Sequence, residues 1–436
     1  MRIKRALVGL GVLLAATLAA APGVQADPKP QDKSRTVGSI RSLDKFVIKG
    51  SGATPEIKGA ARRDLETLAR DTGKSLKALE RRHQGQEIFD HLASELAAEE
   101  GLGYVQAGYV EEGDPAADGA EVWMRFTEKP PQRVLNRLRE LPHTVRVQYG
   151  APLEWEDLEK VQEALFGATA DFPGTAEVVS EIDPETDGIT VFYSVAPGSR
   201  VDQEALVSAA MTAGSEASPT GNVPVQVRFS EDPTVTSDTE ATVKGGHLLD
   251  PVDGSGRSCT SGFTIRVNGV VGVSTAMHCP NSMRYNGVTG VIAYMNAAQR
   301  TSSGAHIDLQ WHRTLSGHST RPVFRADYGD ERTVSRAKNA VVGSSVCHFG
   351  LGTKGKRCSS VRSLGVCYQP DDLRFCGLAS TENYVSTGGD SGGPWFFDYE
   401  AKGIHSGVYT TGGKQRSLYT PQTRIAENLG GSVLVG

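Results

Sequence analysis

The sequence predicts a mainly β fold of two packed antiparallel barrels, preceded by an α+β segment. From Phe263 onward, short runs of β-branched and aromatic residues alternate with turns, and a helical pattern appears only at about 421–429. Upstream, between residues 56 and 229, leucines at helical spacing alternate with strand patterns. The 436 residues suffice for two or three domains, and 50 glycines are typical of a soluble, turn-rich protein.

Residues 1–26 are typical of an export signal. Basic residues near the start precede an apolar run at 6–21, which is too short for a comfortable membrane span. Small residues predict a cut after Ala26, with Ala21 as the alternative. No later apolar run is long enough to cross a membrane, so we expect a secreted, soluble protein without a membrane partner.

The segment 27–242 is predicted to be an α+β domain with a helical start. Residues 27–50 are polar and contain prolines, which predicts loose order. Residues 56–100 have apolar side chains at helical spacing, with a break at 71–75. Residues 230–258 have the composition of a linker.

An internal repeat lies within this segment. A DPxxDG turn at 114–119 recurs at 183–188, and a strand, a helical pattern and a further strand follow each copy. We therefore expect two β-β-α-β units. The turns carry too few carboxylates at ligand spacing to predict calcium loops.

The charge is divided unevenly along the chain. The net charge is −5, yet residues 243–436 carry 20 lysines and arginines against 13 aspartates and glutamates. The preceding segment is therefore strongly acidic. Opposite charges of this kind predict that the two halves dock on each other rather than on nucleic acid.

Three separated motifs contain the residues of a nucleophilic site. Ser391 lies in the turn GGDSGGP, where glycines permit close approach to a substrate, and the backbone N–H groups of Gly389 and Ser391 would form an oxyanion hole. His278, in STAMHC, would act as general base and then general acid. Asp308, in AHIDLQ, has apolar neighbours as a buried strand would, and would orient the histidine.

These motifs, in the order His, Asp, Ser, resemble the chymotrypsin-like serine proteases, and among them the bacterial streptogrisin and α-lytic protease type, across residues 243–436. The resemblance implies two six-stranded Greek-key barrels and peptide-bond hydrolysis through an acyl-enzyme, without metal or cofactor. It implies that residues 27–242 are a pro-region that assists folding and then inhibits the enzyme. A cut near Val243 would release a monomer that acts on proteins or peptides. The alternative is a binding domain that the mature enzyme retains.

All six cysteines lie between Cys259 and Cys376, which predicts disulfides in an exported chain but leaves fifteen pairings open. The resemblance implies the pairs Cys259–Cys279 and Cys347–Cys358, and leaves Cys367–Cys376. A catalytic thiol at Cys279 is the competing interpretation.

Asp390 requires a cationic partner. In related bacterial enzymes an arginine follows the cysteine of a Val-Cys-x-x-Gly motif, and here His348 has that position. We therefore expect His348 to hydrogen-bond with Asp390. The alternative is an exposed loop histidine.

Specificity is predicted less fully. Val385 stands where a trypsin-type enzyme has an aspartate, six residues before the nucleophile, so a preference for lysine or arginine is not expected. The resemblance implies a substrate-binding wall at His405, Ser406 and Gly407. His405 matches a carboxylate-binding histidine of glutamate-preferring relatives, but Gly388 replaces their serine. Acidic and apolar or small side chains both remain candidates.

Other classes of function and site are also compatible with the motifs. An esterase or acyltransferase would use the same triad, and a pseudoprotease would bind peptides without cutting them. His306, His312 and His318 lie near Asp308 in sequence, but no carboxylate–histidine ligand pattern accompanies them, so a metal site is not expected.

Overall fold

The computed structural model describes residues 34–110, 118–232, 236–238, 246–254, 258–299, 301, 304–316, 318–370 and 373–436. The predicted signal segment and the predicted cut near Val243 lie outside these residues. Residues 34–436 form one compact unit. Below, residues 27–242 are called the N-terminal half and residues 243–436 the C-terminal half.

The N-terminal half combines helices with two small sheets. Its described helices are α1 (Gly59–Thr72), α2 (Leu76–His83), α3 (Gln86–Ala97), α4 (Gln132–Arg139), α5 (Trp155–Ala170) and α6 (Gln203–Ala217). Its described strands are β1 (Ser34–Val37), β2 (Asp44–Ile48), β3 (Tyr104–Tyr109), β4 (Val122–Phe126), β5 (Val145–Tyr149), β6 (Thr175–Ile182), β7 (Ile189–Val195), β8 (Val227–Glu231) and β9 (Thr236–Asp238).

Two β-β-α-β units are present and have the same topology. Strands β3, β4 and β5 with α4 form the first unit, and β6, β7 and β8 with α6 form the second. In each unit the third strand pairs parallel to the second, and the first pairs antiparallel to the second. The helix that joins the second and third strands is the crossover that a parallel pair requires. The repeat in the sequence thus corresponds to a repeat in the fold.

The expectation of loose order at 27–50 was wrong for the described residues, whereas α1, α2 and α3 lie within the predicted helical stretch 56–100. β2 pairs with β5 of the first unit, and β1 pairs with β8 of the second. Both therefore complete the edges of sheets formed by residues more than ninety positions away in the chain. Polar composition predicted no strand because long-range pairing overrides weak local propensity.

Helix α5 was not predicted, although the sequence contained a signal for it. Leu158, Val161, Leu165 and Phe166 recur at helical spacing and are all buried in the core of the second unit. The helix begins after Glu154 and carries Glu156 and Asp157 in its first turn, where negative charge is favourable.

The C-terminal half is built almost entirely from strands, which confirms the mainly β class. Its described strands are β10 (Leu248–Pro251), β11 (Cys259–Thr260), β12 (Thr264–Val267), β13 (Val270–Thr275), β14 (Met283–Tyr285), β15 (Ile292–Ala297), β16 (Gln310–Thr314), β17 (Val323–Asp327), β18 (Asp330–Thr333), β19 (Arg336–Ala337), β20 (Ser345–Gly350), β21 (Gly355–Tyr368), β22 (Phe375–Thr381), β23 (Pro394–Phe397), β24 (Glu400–Thr411), β25 (Lys414–Pro421) and β26 (Gly431–Val433). Its described helix is α7 (Thr423–Leu429).

These strands fall into two regions. A five-stranded sheet has the order β15-β16-β13-β12-β26, beside small sheets formed by β10, β11, β14 and by β17, β18. Strands β20 to β25 form the second region, with β24 and β25 pairing over most of their length. Strands β9 and β10 lie within residues 230–258, so the linker interpretation was wrong for residues 236–238 and 248–251.

The two halves are joined by strand pairing. β6 pairs antiparallel with β21, so the sheet of the second unit continues into the C-terminal half as one 12-stranded sheet. β9 pairs antiparallel with β24. The cores also merge, because Leu65 and Leu68 of α1 pack in the same cluster as Phe349 and Phe396.

The opposite charges of the two halves form ion pairs at this junction. Acidic side chains of the N-terminal half contact basic side chains of the C-terminal half. The pairs are Asp64 with Arg332 and Lys356, Asp90 with Lys402, Glu87 with Arg336, Glu159 with Arg424, and Asp171 with Arg374. None of the helices in the part of the chain that the structure describes is long and apolar enough to span a membrane.

Candidate active site

His278, Asp308 and Ser391, which are far apart in the sequence, meet between the two regions of the C-terminal half. Nδ1 of His278 lies 2.9 Å from Oδ2 of Asp308, and its Nε2 lies 2.8 Å from Oγ of Ser391. Asp308 and Ser391 are fully buried, and the His278 side chain is 5% exposed. The ring therefore bridges a buried carboxylate and a hydroxyl, which is the arrangement needed for proton transfer from the serine.

His278 is held at the end of β13 by covalent and hydrogen bonds. Cys279 is disulfide-bonded to Cys259, and its carbonyl oxygen accepts a hydrogen bond from Nε2 of Gln310 at 2.9 Å. The backbone N–H of His278 donates to Asp308 at 3.2 Å. The thiol interpretation of Cys279 is thereby excluded, because the sulfur is in a disulfide.

Asp308 accepts further hydrogen bonds that hold it in place. The hydroxyl of Ser406 donates to its Oδ2, and the hydroxyl of Thr420 donates to its backbone carbonyl at 2.9 Å. A carboxylate with these donors can accept Nδ1–H of His278, which leaves Nε2 as the acceptor for the Ser391 proton. Thr420 was not among the predicted site residues, and Ser406 was predicted only as a substrate-binding residue.

The turn that carries Ser391 requires glycine at two positions. Gly389 and Gly392 have φ values of 105° and 85°, which side chains rarely adopt. A Cβ on Gly392 would also lie 2.1 Å from Oγ1 of Thr275. Within the described residues, the N–H of Gly389 donates no hydrogen bond, as an oxyanion-hole donor requires before substrate binds.

Thr260 holds the same turn in place with two hydrogen bonds. Its N–H donates to the carbonyl of Ser391 at 2.8 Å, and its hydroxyl donates to the carbonyl of Gly389 at 2.9 Å. Gly392 and Gly393 are tied to β24 through the backbone of His405, at 2.7 Å in each case. These bonds fix the position of Ser391 and are not visible in the sequence motif.

Asp390 and His348 lie side by side in the interior. Nε2 of His348 is 3.3 Å from Oδ2 of Asp390, and His348 is fully buried in β20, so the alternative of an exposed loop histidine was wrong. Burial opposes ionisation of Asp390, but His348 and the Thr353 hydroxyl outweigh it and hold the pKa of that carboxyl well below its ordinary value. The N–H groups of Thr353 and Thr387 also donate to it, at 3.1 and 2.9 Å.

His405, one of the residues of the predicted substrate-binding wall, belongs to a stack of rings. Its ring lies 5.5 Å from that of His348 and nearly parallel to it, and Nε1 of Trp395 donates to its Nδ1 at 3.3 Å. Trp395 in turn stacks on Tyr419 at 5.1 Å. The sequence indicated His405 and His348 for separate reasons and gave no sign that they touch.

The other predicted substrate-binding residues lie beside this stack. The carbonyl of Val385 accepts from His348 at 3.1 Å, and its N–H donates to Ser417 at 3.0 Å. Ser406 and Gly407 follow His405 in β24. The hydroxyls of Ser386 and Ser417 lie 2.7 Å apart, so the neighbourhood of Val385 contains polar groups that the sequence did not indicate.

The other two cysteine pairs are also disulfide-bonded as the resemblance implied, Cys347 with Cys358 and Cys367 with Cys376. His306 forms an isolated bridge with Phe375, whereas His312 lies in β16 and is buried. Among the residues that the structure describes, no group of three or more histidine, cysteine or carboxylate side chains is placed to hold a metal ion.

Comparison with known proteins gives relatives of one chemical class. No family model matches the chain. Serine protease 1 of Streptomyces fradiae is 28% identical over 362 residues, which is 82% of this chain and 87% of that relative. Glutamyl endopeptidase 2 of Streptomyces griseus is 29% identical over 182 residues, which is 41% of this chain and 95% of that relative.

These relatives identify the chain as a serine endopeptidase that is similar to the chymotrypsin-like proteases. The resemblance to the streptogrisin type is thereby confirmed. The match to serine protease 1 is longer than the C-terminal half of this chain. It therefore also includes part of this chain's N-terminal half. A solved structure, described as a glutamic acid specific serine protease that uses a histidine triad in substrate binding, is 26% identical. It covers 44% of this chain and 100% of its own, with a TM-score of 0.38.

Proposed function

We propose that this chain is the zymogen of a secreted endopeptidase that cleaves peptide bonds through an acyl-enzyme on Ser391. The observation that supports this most directly is the 2.8 Å contact between Oγ of Ser391 and Nε2 of His278, with Asp308 on the other ring nitrogen. His278 takes the serine proton during attack and gives it to the leaving amine. Asp308 holds the tautomer and stabilises the imidazolium.

The oxyanion of the tetrahedral intermediate is assigned to the backbone N–H groups of Gly389 and Ser391. Each such donor contributes about 3 kcal/mol of transition-state stabilisation. The positive φ of Gly389 and the hydrogen bonds from Thr260 support this role, because both fix the turn before substrate arrives. Water then cleaves the ester, and His278 acts as base a second time.

The N-terminal half is proposed to be a pro-region that assists folding and inhibits the enzyme. Strand β9 lies along β24, and β24 also carries Ser406 and Gly407 of the predicted substrate wall. A strand in that place competes with an extended peptide substrate, which would bind by the same strand addition. The paired sheets and buried ion pairs of the junction support a templating role, because β-rich folds with distant contacts form slowly.

Enzymatic activity is tested on the secreted product of the full chain. Wild type should react with an active-site phosphonate and hydrolyse casein. Ser391→Ala should lower kcat/KM by about a millionfold, and Asp308→Asn by about ten-thousandfold. Ser335→Ala is the matched control, because this exposed serine lies in the same half and should leave activity unchanged.

Each alternative activity has its own result in this experiment. Phosphonate labelling and ester hydrolysis without cleavage of any protein or peptide would identify an esterase or acyltransferase. Peptide binding without labelling would identify a pseudoprotease. A full-length secreted form that is as active on casein as any shortened form would show that the N-terminal half is no inhibitor.

A further inference from the structure

Thr260 joins the turn of Ser391 to the strand that precedes His278. The N–H of Thr260 donates to the carbonyl of Ser391 at 2.8 Å, and its own carbonyl accepts a hydrogen bond from Oγ1 of Thr275 at 2.8 Å. Thr275 is the last residue of β13, three positions before His278. Thr260 and Thr275 are both fully buried, so a lost hydrogen bond here would leave a polar group unsatisfied. The backbone of Thr260 therefore links the two motifs.

The side chain of Thr260 makes a further hydrogen bond, to a residue assigned to the oxyanion hole. Its hydroxyl oxygen lies 2.9 Å from the carbonyl oxygen of Gly389, and because a carbonyl can only accept, the hydroxyl proton points at Gly389. Within the part of the chain that the structure describes, Gly389 makes no other hydrogen bond. The conformation of Gly389 therefore depends on this contact.

Gly389 needs such a contact because its own backbone does not select one conformation. Its φ is 105°, and glycine adopts positive and negative φ about equally readily. A change of φ would turn the N–H of Gly389 relative to Oγ of Ser391, so the donor would no longer point to where the oxyanion forms. The hydrogen bonds between β24 and the turn hold Gly392 and Gly393, which follow Ser391, and leave Gly389 to Thr260.

We propose that Thr260 is a positioning residue for the oxyanion hole, an inference that rests on the proposed acyl-enzyme mechanism. Its hydroxyl holds the carbonyl of Gly389 and so keeps the N–H of Gly389 directed at the oxyanion before substrate binds. The hydroxyl acts through Gly389 and not on the reacting atoms. Its effect therefore belongs to stabilisation of the transition state rather than to binding of substrate.

The test compares variants of the secreted product of the full chain on a peptide that contains a casein bond cleaved by wild type. Thr260→Val removes the hydroxyl and keeps nearly the same volume. We expect kcat to fall about 10- to 100-fold with KM within about twofold, because loss of an oxyanion donor costs about 100- to 1,000-fold in kcat and misdirecting it costs part of that. Affinity for a peptide trifluoromethyl ketone, whose adduct with a serine carries an oxyanion, should fall by a similar factor.

Two further variants separate positioning from a general loss of structure. Thr260→Ser keeps the hydroxyl and should retain kcat within about threefold of wild type. Thr264→Val removes a hydroxyl that also donates to a backbone carbonyl, that of Arg321 at 2.9 Å, and should leave kcat and KM within about twofold of wild type. The final extent of phosphonate labelling counts the folded enzyme in each sample. If Thr260→Val is not secreted, Thr260→Ala takes its place with the same expectations.

A Thr260→Val enzyme whose kcat stays within about threefold of wild type would overturn the inference. Equal losses of kcat in Thr260→Ser and Thr260→Val would do the same, as would a higher KM with unchanged kcat, which would assign Thr260 to substrate binding. If neither Thr260→Val nor Thr260→Ala gave labelled enzyme while Thr264→Val did, the hydroxyl would be required for the fold instead, and the inference would be wrong.

Phosphonate labelling and casein hydrolysis by wild type separate this inference from the proposed function. Wild type that labels and cleaves, beside any of these contrary results, would leave the endopeptidase proposal standing and refute the role of Thr260. Failure of wild type to label or to cleave would refute both.

Discussion

Two parts of the N-terminal half contact the C-terminal half in different ways. Helices α1 and α3 insert the carboxylates of Asp64 and Asp90, both fully buried, against basic side chains of the C-terminal half. The second β-β-α-β unit instead adds its strand β6 to the edge of β21 through backbone hydrogen bonds. One contact depends on particular side chains, and the other depends mainly on the backbone.

The difference shows how one segment can bind its partner both selectively, through side chains, and strongly, through the backbone. A buried carboxylate must meet its partner, because an unpaired charge in the interior is strongly destabilising. Asp64 receives two hydrogen bonds from Arg332, one from Lys356 and one from the N–H of Asp398. A strand ladder tolerates many side chains. We therefore expect the helices to determine which protease is recognised, and β6 to contribute affinity with little selectivity.

The largest effect is expected at Asp64. In the full-length Ser391→Ala chain, Asp64→Ala should lower the free energy of unfolding by about 3–5 kcal/mol, because the buried Lys356 loses its carboxylate partner and the buried Arg332 keeps only Asp330. Urea denaturation measures this. Glu66→Ala, an exposed position on the same helix, is the control. If Asp64→Ala lowered the free energy of unfolding no more than Glu66→Ala, the buried ion pairs would not be what makes this contact depend on particular side chains.

Acid sensitivity gives the next largest effect. Burial, with a smaller contribution from Arg82, lowers the pKa of His83 to about 3. Below pH 6.5 the unfolded chain binds a proton that the folded chain does not, so stability is full above pH 6.5 and falls as the pH falls, levelling off near pH 3. At pH 5 the free energy of unfolding is therefore lower by about 2 kcal/mol than at pH 7.

Urea denaturation at pH 7 and pH 5 measures the effect of His83. The His83→Gln chain should lose about 2 kcal/mol less than its His83 parent between these two pH values. His91→Gln, a half-exposed histidine on α3, should leave the loss unchanged. Identical pH dependence in the His83→Gln chain and its parent would contradict the assignment.

A smaller effect is expected at the sheet junction. Nε2 of Gln162 on α5 donates to Ser180 of β6 and, at 3.1 Å, to the carbonyl of Gly365 in β21. Gln162→Leu keeps the volume but removes these bonds, so the free energy of unfolding should fall by about 1–2 kcal/mol. The exposed Glu156→Gln on the same helix should stay within about 0.5 kcal/mol of its parent. A loss as large as that of Asp64→Ala would show that the ladder also depends on individual side chains.

The smallest effect is expected where charges meet at the surface. Glu87 pairs with Arg336, but their side chains are 33% and 47% exposed. Glu87→Ala should cost less than about 1 kcal/mol, and the difference should vanish in 1 M salt because exposed pairs are screened. If the difference in the free energy of unfolding persisted in 1 M salt, this pair would behave like the buried ion pairs.

The three residues that meet in the candidate active site could be predicted because their signals are local. Glycines around Ser391 and apolar neighbours around Asp308 are readable in short windows, and the order of the three motifs narrows the fold. The DPxxDG repeat likewise indicated two equivalent units. The strands β1 and β2 were missed because their partners, β8 and β5, are remote, and a polar segment at a sheet edge has little hydrophobic periodicity.

The support around the triad could not be predicted for the same reason. Thr260 behind the nucleophile and Thr420 behind Asp308 are ordinary residues in sequence, and only the packing of distant strands gives them a role. The stack of His348, His405 and Trp395 also joins residues from three strands.

The sequence by itself determined the type of elements, the chemical class of the site and the opposite charges of the two halves, because turns, periodicity and composition are properties of short segments. Only the tertiary structure decided which strands meet. It continued one sheet through both halves, buried Asp64 and Asp90 in the junction, and set the register of β9 on β24. Those outcomes depend on pairing between residues far apart in the chain, and many pairings are compatible with the same local patterns.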